Sequence, residues 1–492
     1  MRTILLSPDR RRWTTLAVVC LAQLMIVLDV TIVNVALPDI QDDLGFSDAS
    51  LTWVVNAFLV TFGSLLLLAG RLGDLLGRKR IFLAGLTTFT IASLLCAVAP
   101  TSGALIGARL LQGAGAALQA SVILAIIVTE FPQAADRARA MSAYVFVSVA
   151  GGSLGLLAGG LLTQNLSWHW VFLVNLPIGL VTYAFGRTLI RADRGLGIGH
   201  GVDWLGSVLV TTSLMIAIYA IVTATTHGWL SVQTLGFGGL ASALMAAFVV
   251  VESRTAEPIL PARVLALRGL VNASVVRGFL VTGMYSTFFL VTLYLENVRG
   301  YSALEAGAAF LPWTLTVAAL SQGITASLVT RFGAYRVLTA GMAAAAAGLL
   351  LFGTIGEQTA FFPTIFAACF VIGLGIGVAF MPLLTIAMAD VPAADAGLGS
   401  GITNVSQQLS GALGLAVLST IAADHTRALS AAGHSPTSAM IGGYHVAFLC
   451  GAALIAVGIA LAVLLLRPAR SPQAEVAALP TRPTAIDLEH AA

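Results

Sequence analysis

The chain of 492 residues is 58% hydrophobic and only 10% charged, well under the roughly 25% charge of an ordinary soluble domain, so the composition excludes a soluble globular protein and indicates an integral membrane protein. The 25 Lys and Arg nearly balance 22 Asp and Glu, leaving no basic surface for a nucleic-acid partner. The only lysine, Lys79, is followed by Arg80, so the GxxxxGK[ST] loop of an ATP-driven pump is absent and no nucleotide is expected.

About 20 apolar residues cross a bilayer as a helix. Fourteen such runs occur, over residues 14–37, 50–70, 81–99, 103–129, 138–163, 168–188, 205–224, 232–251, 269–295, 302–329, 335–353, 361–387, 397–422 and 443–466. The first is too long for a signal peptide and lacks a small-residue cleavage site, so it reads as a retained helix. Alternate connections and both tails hold 21 of the Lys and Arg residues; the opposite connections hold only Arg299 and Arg427, while Arg109 and Arg277 fall inside spans. That asymmetry places both termini in the cytoplasm.

The first span contains LDVTIVNVALPDI, with Asp29 about 12 Å from its outer end at 1.5 Å per residue. The neighbours on its face, Met25, Ile26, Ile32, Val33 and Ala36, are all apolar. A charge at the centre of a membrane helix costs roughly 3 kcal/mol on insertion scales, so such residues mark ion pathways; a proton taken up from the outer side would neutralise Asp29. The alternative is a structural ion pair or hydrogen bond. After the second span, GRLGDLLGRKR carries Gly73, Asp74, Gly77 and Arg78. Glycine permits a tight turn, and a carboxylate can pin the N-terminus of a facing helix, which predicts a cytoplasmic hinge and latch; Lys79 reads as a topology signal. In the fourth span Arg109 lies about 8 Å from the outer end, a depth similar to that of Asp29, and is its natural partner. Its face continues through Gln112, Gly113, Ala116 and Gln119, a small, polar stripe suited to a water-filled cavity. In the fifth span Gly151, Gly155 and Gly159 recur every four residues and predict a close helix contact.

The later spans supply the remaining candidates for a substrate cavity. Tyr285, Phe289 and Glu296 share a face of the ninth span, Trp313 lies in the tenth, and Asn404 and Gln408 in the thirteenth; Asn34 in the first joins them. Aromatic faces and amides suit a bulky, amphipathic organic molecule, although each aromatic could equally face lipid or a neighbouring helix. Glu296 could read a cationic substrate, bind a second proton or face water at the helix end. Cys20, Cys96, Cys369 and Cys450 are far apart in apolar runs and read as buried hydrophobes. His169, His227, His425, His434 and His445 scatter over outer segments, and no metal site is expected.

The chain repeats itself. Gly77, Arg80 and Gly85 match Gly333, Arg336 and Gly341; Gly113 and Gly115 match Gly373 and Gly375; Gly152 and Gly155 match Gly411 and Gly414. Two six-helix halves therefore face each other, the architecture of alternating-access carriers, with the seventh and eighth spans inserted between them at the periphery. The positions matching Asp29, Asp74 and Arg109 are Tyr285, Thr330 and Cys369, so the charged apparatus is expected only in the first half.

These motifs, with ARLLQGAGAA, GGSLGLLAGG, WHWVFLVNLPIG and SGITNVSQQLSGALG, resemble the signatures of the major facilitator superfamily, and the fourteen spans resemble its drug:H+ antiporters of the DHA2 type. Departures are Leu156, where the family has proline, and His169 and Gln407, where it has arginine. The resemblance implies an all-α membrane fold divided into a cytoplasmic tail (1–13), a six-helix bundle (14–200), two inserted helices (201–255), a second bundle (256–466) and a disordered tail (467–492). It implies Asp29 and Arg109 in proton coupling, Asp74 at the inward gate, and a monomer in the bacterial inner membrane. That monomer would export small lipophilic compounds, neutral or weakly basic, with protons as the co-transported ion and no cofactor beyond the proton gradient. A narrow exporter of one endogenous metabolite or antibiotic and a non-transporting membrane sensor stay open, whereas no grouping of residues indicates an enzyme.

Overall fold

The computed structural model describes residues 7–46, 48–193, 195–197, 203–255, 258 and 260–466; the tail beyond residue 466 lies outside them. Fourteen helices among these residues are long and apolar enough to cross a membrane. They are α1 (Asp9–Leu44), α2 (Trp53–Leu76), α3 (Arg78–Ala97), α4 (Ser102–Glu130), α5 (Ala134–Thr163), α6 (Trp170–Leu189), α7 (Leu205–Ala224), α8 (Val232–Glu252), α9 (Arg268–Asn297), α10 (Leu304–Phe332), α11 (Ala334–Phe352), α12 (Phe361–Ala389), α13 (Ala396–Ala431) and α14 (Pro436–Leu465). Several of their starts carry side-chain caps: Thr101 accepts from the Ala104 amide at 3.2 Å, Ser231 from Thr234 at 3.1 Å and Ser435 from Ser438 at 3.2 Å.

Three helices run furthest past the apolar segments that announce them. α1 continues from residue 37 to Leu44, α13 from 422 to Ala431, and α14 starts at Pro436 rather than 443. Asp29 is thus about 22 Å from the end of α1 at 1.5 Å per residue, not 12 Å. Hydropathy locates the bilayer crossing; the polar extension is held separately, by the Trp168 indole donating to Asp43 at 2.9 Å.

The repeat is visible in backbone geometry. Gly77, between α2 and α3, has φ 99° and ψ 132°, and its counterpart Gly333, between α10 and α11, has φ 83° and ψ 147°, a region costly for any residue with a Cβ. A Cβ on Gly85 would lie 2.6 Å from the Gln119 amide and 2.8 Å from the Gly115 carbonyl, and one on Gly341 would lie 2.7 Å from the Ala379 amide and 2.9 Å from the Gly375 carbonyl. Matching glycines therefore seat α3 on α4 and α11 on α12. Backbone approach of this kind drives helix association where lipid removes the hydrophobic incentive.

The halves meet through α2 and α4 against α13, and through α5 against α10 and α12. The inserted pair differs from expectation. α8 packs on α7 at the periphery, but α7 touches both α2 and α13, with Trp53 stacked on Tyr219 at 5.6 Å and Ile218 filling the space beside Gly63. α7 is a bridge between the halves.

Candidate functional site

The Asp29 carboxylate is fully buried, and Arg109 is 1% exposed. One carboxylate oxygen accepts from Arg109 Nη1 at 2.5 Å; the other accepts from Gln112 Nε2 at 2.7 Å and Asn175 Nδ2 at 3.2 Å. Arg109 also donates from Nε to the Val54 carbonyl at 2.7 Å and from Nη1 to Gln112 Oε1 at 2.6 Å, and its guanidinium lies 4.6 Å from the Phe58 ring centre and 5.8 Å from that of Phe172. Gln112 Nε2 reaches Ser93 Oγ at 2.9 Å. The cluster joins α1, α2, α3, α4 and α6, all in the first half. Buried charges persist only when paired and hydrogen-bonded, and here both ions have a charge partner and neutral dipoles. Protonating Asp29 would remove one of the two charges and loosen Arg109 from it.

Gln112, expected in the substrate cavity, is instead fully buried in this network; spacing showed its face but not what that face meets. Asn175, which sequence reasoning missed, enters from α6 within the WHWVFLVNLPIG motif. Its only sequence signal was a lone amide in an apolar run.

The connections rich in Lys and Arg lie at one end of the bundle, called here the basic side, and at that side the halves are clasped. Asp74 Oδ1 accepts from the Gly397 amide at 2.8 Å and Oδ2 from the Leu398 amide at 2.8 Å. The carboxylate thus caps the N-terminus of α13, where unsatisfied amides and the helix dipole favour an anion. Arg78 bridges to Asp74 at 3.4 Å and to Thr129 at 2.8 Å, and its amide donates to Asp193 at 3.0 Å. A Cβ on Gly70 would lie 2.5 Å from the Gly397 carbonyl oxygen, so only glycine allows α2 so close to α13. Gly73 sits against Val122, and Gly77 leaves room for the Asp193 carbonyl. Lys79 donates to the Arg187 carbonyl at 2.7 Å, fastening the connection to the end of α6. Within the second half, Arg263 pairs with the buried Asp395 at 3.0 Å at the same side.

The expected cavity residues separate. Asn34 and Phe289 are exposed, while Tyr285, Glu296 and Gln408 are half-buried. Asn404 is buried and donates to the Ala120 carbonyl of α4 at 3.3 Å, so here it belongs to the basic-side closure rather than to an open cavity. Trp313 is buried against Phe288 and Phe310, and its indole N–H has no partner. Gly151, Gly155 and Gly159 face Val27, Thr31 and Ile32 of α1, within the first half. Gly152 and Gly160 turn instead toward Phe288 and Leu304 of the second.

The second half is not free of buried charge. Arg277 of α9 is 1% exposed; it donates to the Thr403 carbonyl at 3.0 Å and to Gln407 Oε1, and lies 4.8 Å from the Phe380 ring centre. Gln407 Nε2 in turn donates to the Tyr285 hydroxyl at 3.1 Å. Tyr285 is the repeat counterpart of Asp29, so each half has a buried arginine cluster, but among the described residues only the first pairs its arginine with an acid.

Residues 19–415 match the sequence family described as Major Facilitator Superfamily. The chain is 40% identical to the puromycin resistance protein pur8 of Streptomyces alboniger, over 91% of this chain and 90% of that protein. It is 35% identical to the cephamycin export protein CmcT of Amycolatopsis lactamdurans, over 84% and 85%. Among solved structures, the human organic anion transporter MFSD10 (TETRAN) superposes with a TM-score of 0.65 at 17% identity, covering 93% of this chain and all of that one, a likeness of fold alone. By the family match over residues 19–415 and the 40% identity to pur8, and by its two clasped six-helix halves, the chain belongs to the major facilitator superfamily.

Proposed function

We propose that the protein is a proton-coupled exporter of lipophilic antibiotics or similar drugs, working by alternating access in the bacterial cytoplasmic membrane as a monomer with both termini inside. Relatives named for resistance to, or export of, puromycin, cephamycin and tetracenomycin C support export. The excess of Lys and Arg at the basic side supports its assignment to the cytoplasm. The observation that carries proton coupling is the Asp29–Arg109 pair, enclosed within one half while the cytoplasmic clasp is shut.

In this reading a proton from the outer side neutralises Asp29 and weakens its tie to Arg109. The altered network favours parting of α2 and α4 from α13, so the cavity opens inward. Substrate enters as the proton leaves to the cytoplasm, the pair re-forms, and Asp74 recaptures the α13 N-terminus. A ligand shifts such an equilibrium only by its differential affinity for the two states, and here both the proton and the drug supply that difference. Asn34, Tyr285, Phe289, Glu296, Gln408 and Trp313 are the side chains proposed to meet the drug.

The test is drug-driven proton movement in acid-loaded everted vesicles, with internal pH followed while lipophilic antibiotics and dyes are added. Wild type is expected to release protons with some compounds. Release that is equal in the Asp29→Asn variant would refute the assignment.

A further inference from the structure

Arg277 is a buried cation without an acid. Among the described residues no Asp or Glu contributes to its electrostatic surroundings; the ionisable groups that do are the phenols of Tyr144 and Tyr285. Its donors are only partly used, since Nε has no hydrogen-bond partner while the two terminal nitrogens meet neutral acceptors, the Thr403 carbonyl and Gln407. Buried charges are normally paired, and Arg109 in the same fold shows what such pairing looks like: a carboxylate at 2.5 Å. The second half repeats the carbonyl, glutamine and aromatic ring of that arrangement but, among the described residues, supplies no carboxylate.

We infer that the missing partner is the cargo, and that Arg277 with Tyr285 and Gln407 forms a subsite for a single carboxylate on an otherwise lipophilic molecule. This rests on the exporter reading and narrows it, replacing the expectation of neutral or weakly basic cargo. The subsite is closed in this conformation by the interface that must move. Thr403, Gln407, Phe380 and Tyr285 belong to the second half and travel with Arg277; Tyr144 lies on α5 of the first half. Parting of the halves at the basic side carries Tyr144 away and uncovers a guanidinium fork, whose planar donors match a carboxylate bidentately. The Phe380 ring, 4.8 Å from the guanidinium, offers apolar surface for the rest of the molecule.

The test uses a matched pair of probes, fluorescent 9-anthroate and its neutral methyl ester, titrated against the full chain in phosphatidylcholine nanodiscs at neutral pH. A charge-assisted pair predicts that wild type binds the acid about tenfold or more tightly than the ester. Arg277→Gln should abolish that preference while ester binding persists, and Arg277→Lys should restore part of it. Equal affinity of wild type for acid and ester would overturn the inference, a result that needs no variant to fold. Preference retained in Arg277→Gln would overturn it equally. Efflux of the same probes from proteoliposomes separates the two readings: no movement of either probe despite discriminating binding counts against export alone, whereas transport of the ester without acid preference counts against the subsite alone.

Discussion

Asp29 accepts three hydrogen bonds and shares Arg109 with two further acceptors, so the two ions can be removed together more safely than separately. Breaking a buried pair by removing one partner typically costs about 3–5 kcal/mol because a lone charge remains. Arg109→Gln should therefore lower thermal stability in detergent sharply, and Asp29→Asn/Arg109→Gln should recover much of the loss. Additive losses in that double-mutant cycle would show that the ions do not depend on each other. Gln112→Leu offers a second discriminating case. It removes a donor to Asp29 and an acceptor for Arg109, so it should destabilise by about 1–3 kcal/mol, measured by melting, whereas a side chain merely lining a cavity would change drug selectivity with stability intact. At this scale the sequence revealed the pair, because two charges at similar depth in apolar spans have few other ways to be satisfied. It did not reveal Asn175 or the placement of Gln112, because amides carry no charge to locate and their partners depend on which helices become neighbours. Arg277 was conspicuous as a charge but lacked any acid to define its role.

The basic-side clasp is a property of helices α2 and α13 more than of any one side chain. Asp74 accepts two amides at the start of α13, and an anion there contributes about 0.3–1 kcal/mol, rising to about 2 in partly buried geometry. Asp74→Asn should shift the balance between shut and open clasp several-fold toward open, seen as lengthened distances between spin labels on the α2–α3 connection and the start of α13. Unchanged distance distributions would remove Asp74 from the gate. Gly397→Val should open the same interface by steric means, since a Cβ there would sit 2.5 Å from the Gly70 carbonyl oxygen; its readout is the same pair of labels, and an unaltered shut state would count against close approach of the two backbones. Helix identities were readable because an uninterrupted apolar run has one stable form in lipid. The helix ends at Leu44, Ala431 and Pro436 were not, since outside the bilayer hydropathy no longer distinguishes helix from loop. The position of α7 was equally hidden: an insertion is visible as a break in the repeat, but its wedging between α2 and α13 depends on shape, at Ile218 beside Gly63.

Across the whole molecule, the two halves share a backbone plan and differ in charge. The first encloses a complete ion pair and the second an arginine with no acidic partner among the described residues, so the pseudo-symmetry of the fold is broken where proton and cargo are proposed to bind. The halves also meet where Ser153 of α5 bonds Thr314 of α10 at 2.6 Å, roughly a third of the way along each helix from the end opposite the basic side. The central claim is that Asp29 couples export to the proton gradient. It is tested most directly in proteoliposomes by comparing uphill drug accumulation driven by an imposed pH gradient with drug exchange at equal pH, for wild type and Asp29→Asn. Asp29→Asn is expected to retain exchange and lose accumulation. Full uphill accumulation by Asp29→Asn would contradict the claim.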